Sequence, residues 1–101
     1  MKKINLERVQ NNLKRIYELS LRINVMQDEL ESMLVAIDRN SLNYKKKIIP
    51  KEFFEINDRV FKKESAKLIK KINELVNNGL GLINAIVKEL QLPKVGKHGT
   101  K

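Results

Sequence analysis

Apolar residues recur every seven positions in two long runs of this chain. The first run is Val9, Ile16, Ile23, Leu30 and Ile37. With these at position a of a heptad abcdefg, position d holds Asn12, Leu19, Met26 and Met33. A seam sustained over more than four heptads predicts a coiled-coil-like helix. Asn5 stands just before Leu6 and suits the N-cap, because its side-chain oxygen can accept from an unpaired backbone N–H of the first turn. The expected helix covers residues 5–40, roughly 50 Å at 1.5 Å per residue. Leu13 and Leu34 fall at position e and widen the stripe, while Leu21, Val25 and Val35 lie elsewhere around the helix. A two-stranded coil has no use for those three; a bundle does.

Asn40, Ser41 and Asn43 favour caps and turns, and Pro50 suits the first turn of a new helix. The connection is therefore expected at 41–49. Tyr44 complicates this, since it continues the a register after Ile37 and would fit a first helix running on to Lys47. The second apolar run is Phe54, Phe61, Leu68, Leu75 and Leu82. Ile72 and Ile86 join it at i+4 offsets, and Ile69, Val76, Ile83 and Leu90 flank it. It crosses the stretch NNGLG, residues 77–81, whose asparagines and glycines would ordinarily end a helix. The phase does not reset there, and Gly79 occupies a position where an apolar residue belongs. Glycine inside a helix costs about 1 kcal/mol relative to alanine, less than a continuous apolar stripe returns. One helix is expected over 50–92, ended by Pro93.

These elements predict an all-α fold, an antiparallel helical hairpin completed to a four-helix bundle by a second chain. The alternative is a three-helix bundle with a turn at Gly79. Residues 1–4 form an N-terminal extension, 5–92 a single helical domain, and 93–101 a basic tail.

Composition agrees and adds a charge. The 101 residues are 42% hydrophobic, 33% charged and 5% aromatic. Few breakers and few aromatics favour helices over sheet. With no cysteine, disulfides and thiolate metal sites are excluded. The N-terminal lysines are not followed by the apolar core of a signal peptide, and the run Leu80–Val87 is shorter than the ~20 residues needed to span a bilayer. An intracellular, cytoplasmic protein is expected. The net charge of +9 suits an acidic protein, a nucleic acid or simply a solvated surface.

Candidates for catalysis are poor. His98 is the lone histidine and falls in the tail, where nothing holds a general base in place. Asp28, Glu29, Glu31 and Asp38 cluster without a histidine nearby, unlike the Glu/His pairs of di-metal bundles. Gly79-Leu80-Gly81 lacks the strand and the remaining residues of a phosphate loop. No enzymatic activity and no cofactor are expected.

The remaining features concern surfaces. Arg8, Arg15 and Arg22 share position g, where each should meet a carboxylate on a neighbouring helix. Lys45, Lys46, Lys47 and Lys51 gather at the connection. Lys63, Lys67, Lys70 and Lys71 share a face opposite the second seam, the geometry of solvation or of sequence-independent phosphate contact. No aromatic is interleaved for base stacking, so nucleic-acid binding rests on charge alone. Phe53 and Phe54 are consecutive and point about 100° apart, so both cannot face one narrow seam.

Apolar residues beyond one stripe per helix imply a docking face. The interface candidates are Leu21, Val25, Val35, Phe53, Phe54, Leu68, Ile69, Val76, Ile83 and Val87. The expected function is that of a non-enzymatic interaction module, a small subunit or adaptor. Its partner would be a second copy or an acidic helical chain, and Leu68→Glu should abolish assembly. In size, charge and helix content the chain resembles the small helical bundles of bacteriocin-immunity proteins. It is equally similar to small coiled-coil subunits of multiprotein complexes. No motif carries either likeness, so an inhibitor-type role stands only as an alternative.

Overall fold

The computed structural model describes residues 3–92; the expected tail, with His98, lies outside them. Two helices account for most of that span: α1, Leu6–Lys45, and α2, Lys51–Leu90. They form an antiparallel helical hairpin. The helix α2 passes through NNGLG without interruption, so the three-helix alternative with a turn at Gly79 is excluded.

The seam of α1 follows the heptad closely. Every a and d position from Val9 to Tyr44 is buried or half-buried. In α2 the seam consists of Phe54, Phe61, Leu68, Leu75 and Leu82, here position d, and of Asp58, Ser65, Ile72, Gly79 and Ile86, here position a. That second set includes an acid, a hydroxyl and a glycine, so α2 carries the weaker half of the seam.

The helix ends differ from the simplest sequence expectation. The first helix does not stop at Asn40 and the connection does not occupy 41–49; the helix continues to Lys45. Asn40 falls at d, and seam contacts there outweigh its preference for turns. Chain reversal starts with a Schellman motif. Lys47 adopts a left-handed φ of 61°, its N–H donates to the Tyr44 carbonyl at 3.0 Å, and the Ile48 N–H donates to the Asn43 carbonyl at 2.8 Å. These bonds satisfy carbonyls that a helix end leaves open. The same device ends α2 at Leu90, two residues short of the expected boundary. Gln91 has φ 60°, with Gln91 N–H to Lys88 O at 3.2 Å and Leu92 N–H to Val87 O at 2.9 Å. Neither left-handed residue is glycine, and each costs about 1 kcal/mol for its Cβ.

The hairpin falls into two compact units. Unit 1 joins the chain up to Ile23 to the chain from Glu74 onward, and unit 2 is Asn24–Asn73.

Unit 1 is tied at the start of α1. Asn5 caps the helix as expected, its Oδ1 accepting from the Arg8 N–H at 3.0 Å. The Asn5 N–H itself donates to Glu89 Oε2 at 2.9 Å. In a capping box that donor is satisfied by a glutamate on the same helix; here the glutamate comes from α2. Glu89 Oε1 also receives Arg8 Nη1 at 3.2 Å. One carboxylate therefore fixes both the cap and the alignment of the two helices.

Unit 2 is held by a polar and aromatic cluster. Asn40 is buried. Its Nδ2 donates to the Phe54 carbonyl at 3.0 Å, and its Oδ1 accepts from Asn57 Nδ2 at 3.2 Å. The Tyr44 and Phe54 rings stack with centroids 4.5 Å apart and planes 12° from parallel, an arrangement worth about 0.5–1.5 kcal/mol beyond burial. A buried asparagine in a helical seam fixes register, because any slip leaves its amide unpaired. Ser65 is the opposite case: its hydroxyl is buried with no hydrogen-bond partner.

Candidate functional site

A two-helix seam covers little surface. Among the described residues no side chain is fully buried, and the buried apolar ones are Val9, Leu75 and Val87. Seventeen large apolar side chains are exposed. Their placement is what distinguishes a docking face from scattered surface residues.

In unit 1 five of the exposed apolar residues lie on one side of the seam, while Ile4, Leu21 and Leu92 are exposed elsewhere. Leu6 and Leu13 sit at e of α1, and Tyr17, 63% exposed, at b beside them. Val76 and Ile83 sit at e of α2 with Leu80 at b. In an antiparallel helix pair the e positions of the two helices flank one side of the seam and the g positions the other, so both stripes share a flank. Leu6, Leu13, Tyr17, Val76 and Leu80 are exposed there and Ile83 is half-buried. Glu7 and Lys14, one heptad apart at f, are the charges of α1 at its outer edge.

The opposite flank of unit 1 carries the arginines. Arg8 meets the expected carboxylate, Glu89. Arg15 and Arg22 do not. Neither is held in an ion pair among the described residues; with Asn77, Asn78 and Gly81 they line a groove of about 740 Å³. Leu19 and Leu82 form its apolar floor, and Glu18 stands at its rim. A Cβ built on Gly81 or on Gly79 would meet nothing within 4 Å. The glycines of NNGLG thus leave a gap in the side-chain layer without breaking the helix.

In unit 2 apolar and charged residues are mixed. Val25, Leu34, Val35 and Leu42 are exposed on α1, as are Phe53, Ile56, Val60 and Ile69 on α2. Phe53, Ile56 and Val60 are spaced i, i+3, i+7 and share one face. Of the consecutive phenylalanines, Phe54 turns inward onto Tyr44 and Phe53 outward. Among the lysines, Lys67 pairs with Glu64 at 3.3 Å and Lys62 with Asp58 at 3.0 Å; Lys63, Lys70 and Lys71 are exposed. Such i,i+3 and i,i+4 pairs contribute a few tenths of a kcal/mol.

Of the interface candidates read from the sequence, Leu21, Val25, Val35, Phe53, Ile69 and Val76 are exposed. The four others are less exposed. Val87 is 7% exposed, and Phe54, Leu68 and Ile83 are half-buried. Phe54 and Leu68 lie at d, in the seam itself, while Ile83 at e and Val87 at b lie beside it, where a neighbour's side chain can cover them in a way that the heptad alone does not reveal. Leu68 belongs to the seam, so Leu68→Glu would test folding rather than assembly. Conversely, Leu13, Tyr17 and Leu80 were absent from those candidates; their e and b positions were the available signal.

Among the described residues no three carboxylate or imidazole groups come together as metal ligands would. Within the same span no helix is long and apolar enough to cross a membrane. The chain matches no protein-family model, no curated protein and no solved structure.

Proposed function

We propose that this protein is a helical interaction module, a small subunit or adaptor without catalytic activity, which docks through the apolar flank of unit 1. The observation that carries this reading is the imbalance between three buried apolar side chains and seventeen exposed ones. Each exposed apolar side chain that a partner covers contributes about 25 cal/mol per Å² removed from water. The flank is contiguous and almost uncharged, as the core of a protein interface is. A second copy, or one helical pair from another chain, would complete a four-helix bundle over it.

Light scattering after size exclusion, at low and high salt, tests the second-copy form. An assembly that persists at both salts and is lost in a Leu13→Lys, Leu80→Lys variant supports it. A monomer that melts cooperatively and binds no hydrophobic dye overturns the docking reading altogether. Nucleic-acid binding is the weaker reading, since it rests on charge alone and one lysine of the basic face, Lys67, already pairs along its own helix.

A further inference from the structure

We infer that the groove beside Arg15 and Arg22 receives an amphipathic helix of an acidic partner protein, with the two arginines gripping carboxylates one heptad apart. The groove lies on the flank opposite the apolar stripe of unit 1, so the inference goes beyond the docking reading above and does not depend on it.

Three observations meet here. The first is an incomplete pattern. Three arginines recur at position g, and one of them, Arg8, has its carboxylate within the chain. Arg15 and Arg22 have none, and an outside helix can supply what α2 does not. Guanidinium groups suit this task because their planar fork takes a carboxylate through two parallel hydrogen bonds. The second is space. Asn77, Asn78 and Gly81 bring short side chains or none to the groove, and the open volume above Gly81 lets another backbone approach. The third is the floor. Leu19 and Leu82 are half-buried and apolar, which favours a helix with an apolar edge over a polyanion. The asparagine amides offer donors and acceptors to its polar residues.

Geometry narrows the partner further. Residues seven apart on α1 are about 10.5 Å apart along the axis. A helix lying along the groove matches this with two Glu or Asp residues also seven apart. Glu18, at the rim between the arginines in sequence, repels a carboxylate out of register and so sharpens the spacing. A nucleic acid would gain nothing from the leucine floor, and no aromatic residue lines the groove to stack a base.

The test uses the full chain and a designed helical peptide of ~20 residues, long enough to hold helix in water. It carries a leucine edge and two glutamates seven residues apart; a control has glutamines in their place. Fluorescence anisotropy should show the glutamate peptide binding at least about tenfold more tightly than the control, a difference that salt reduces. Arg15→Ala with Arg22→Ala should remove that preference, and Glu18→Gln should strengthen binding a few-fold. Gly81→Leu should block the groove, and circular dichroism on each variant checks that the helices remain. Leu13→Lys with Leu80→Lys, on the other flank, should leave peptide binding unchanged, which separates the two surfaces. The inference is overturned if the peptides bind equally, if neither binds, or if the arginine variant binds as well as the parent. It is also overturned if a single-stranded oligonucleotide of the same charge displaces the peptide more readily than the peptide displaces itself.

Discussion

Two stretches of this chain have the composition of a turn, and both are helix. One is Asn40-Ser41-Leu42-Asn43 in unit 2; the other is NNGLG in unit 1. Each keeps the phase of its apolar seam, and in each case the seam prevails over local preference. They differ in what the helix gains. At Asn40 the turn-prone residue is buried and bonded to both Phe54 and Asn57, so polarity has been turned into register. At Gly79 and Gly81 nothing fills the place of the missing side chain, so helix propensity has been given up for space. The same departure from good helix chemistry locks one unit and opens the other. Propensity is a small, local term; what replaces it depends on who stands across the seam.

Substitutions can pull this contrast apart. The largest effect is expected at Asn40→Ala, which leaves the Phe54 carbonyl and Asn57 without their side-chain partner. Loss of a buried hydrogen-bonded group should lower the unfolding free energy by about 1–3 kcal/mol, read from urea denaturation at a fixed protein concentration. If the change is neutral, the asparagine cluster does not hold unit 2. Next come Gly79→Ala and Gly81→Ala. Alanine meets no obstruction at either site and removes the glycine penalty, so each should raise stability by about 1 kcal/mol. A destabilising result would mean that the open space above the glycines is already filled in solution.

Smaller effects test the ends of the comparison. Glu89→Ala removes the partner of the Asn5 N–H and of Arg8, and should cost about 1 kcal/mol, the scale of a lost helix cap. Amide exchange should accelerate at the start of α1 and not around Tyr44 if the carboxylate acts where the structure places it. The smallest change is expected for Lys47→Gly. Relief of the left-handed strain, partly offset by the greater freedom of glycine when unfolded, should leave a net gain of roughly 0.5 kcal/mol. The thermal midpoint should rise slightly, whereas Lys45→Gly, at the last residue of α1, should lower it.

Much of the fold is legible in the order of residues. The heptad from Val9 to Ile37 placed each inward position of α1, and Tyr44 in the same register pointed to the longer helix that Lys45 ends. The outward set was legible in part. Leu21, Val25 and Phe53 could be assigned to the surface because they fall out of phase, whereas Val87 could not be recognised as buried, because its cover depends on the neighbouring helix. For the groove, the sequence supplied the three arginines but not their partners. Arg8 and Arg15 have the same heptad position and the same chemistry. Only the pairing of α1 with α2 sets Glu89 beside the first and asparagines and a glycine beside the second.

The sequence by itself determined the helices, their seams and the continuity through NNGLG, because these follow from periodicity, and periodicity is a property of neighbours along the chain. The tertiary structure decided where the hairpin turns, which polar groups are satisfied and which arginines stay unpaired. Those depend on contacts between residues 14 to 84 positions apart, as between Asn40 and Phe54 or between Asn5 and Glu89, and no local pattern specifies which distant residue will stand opposite.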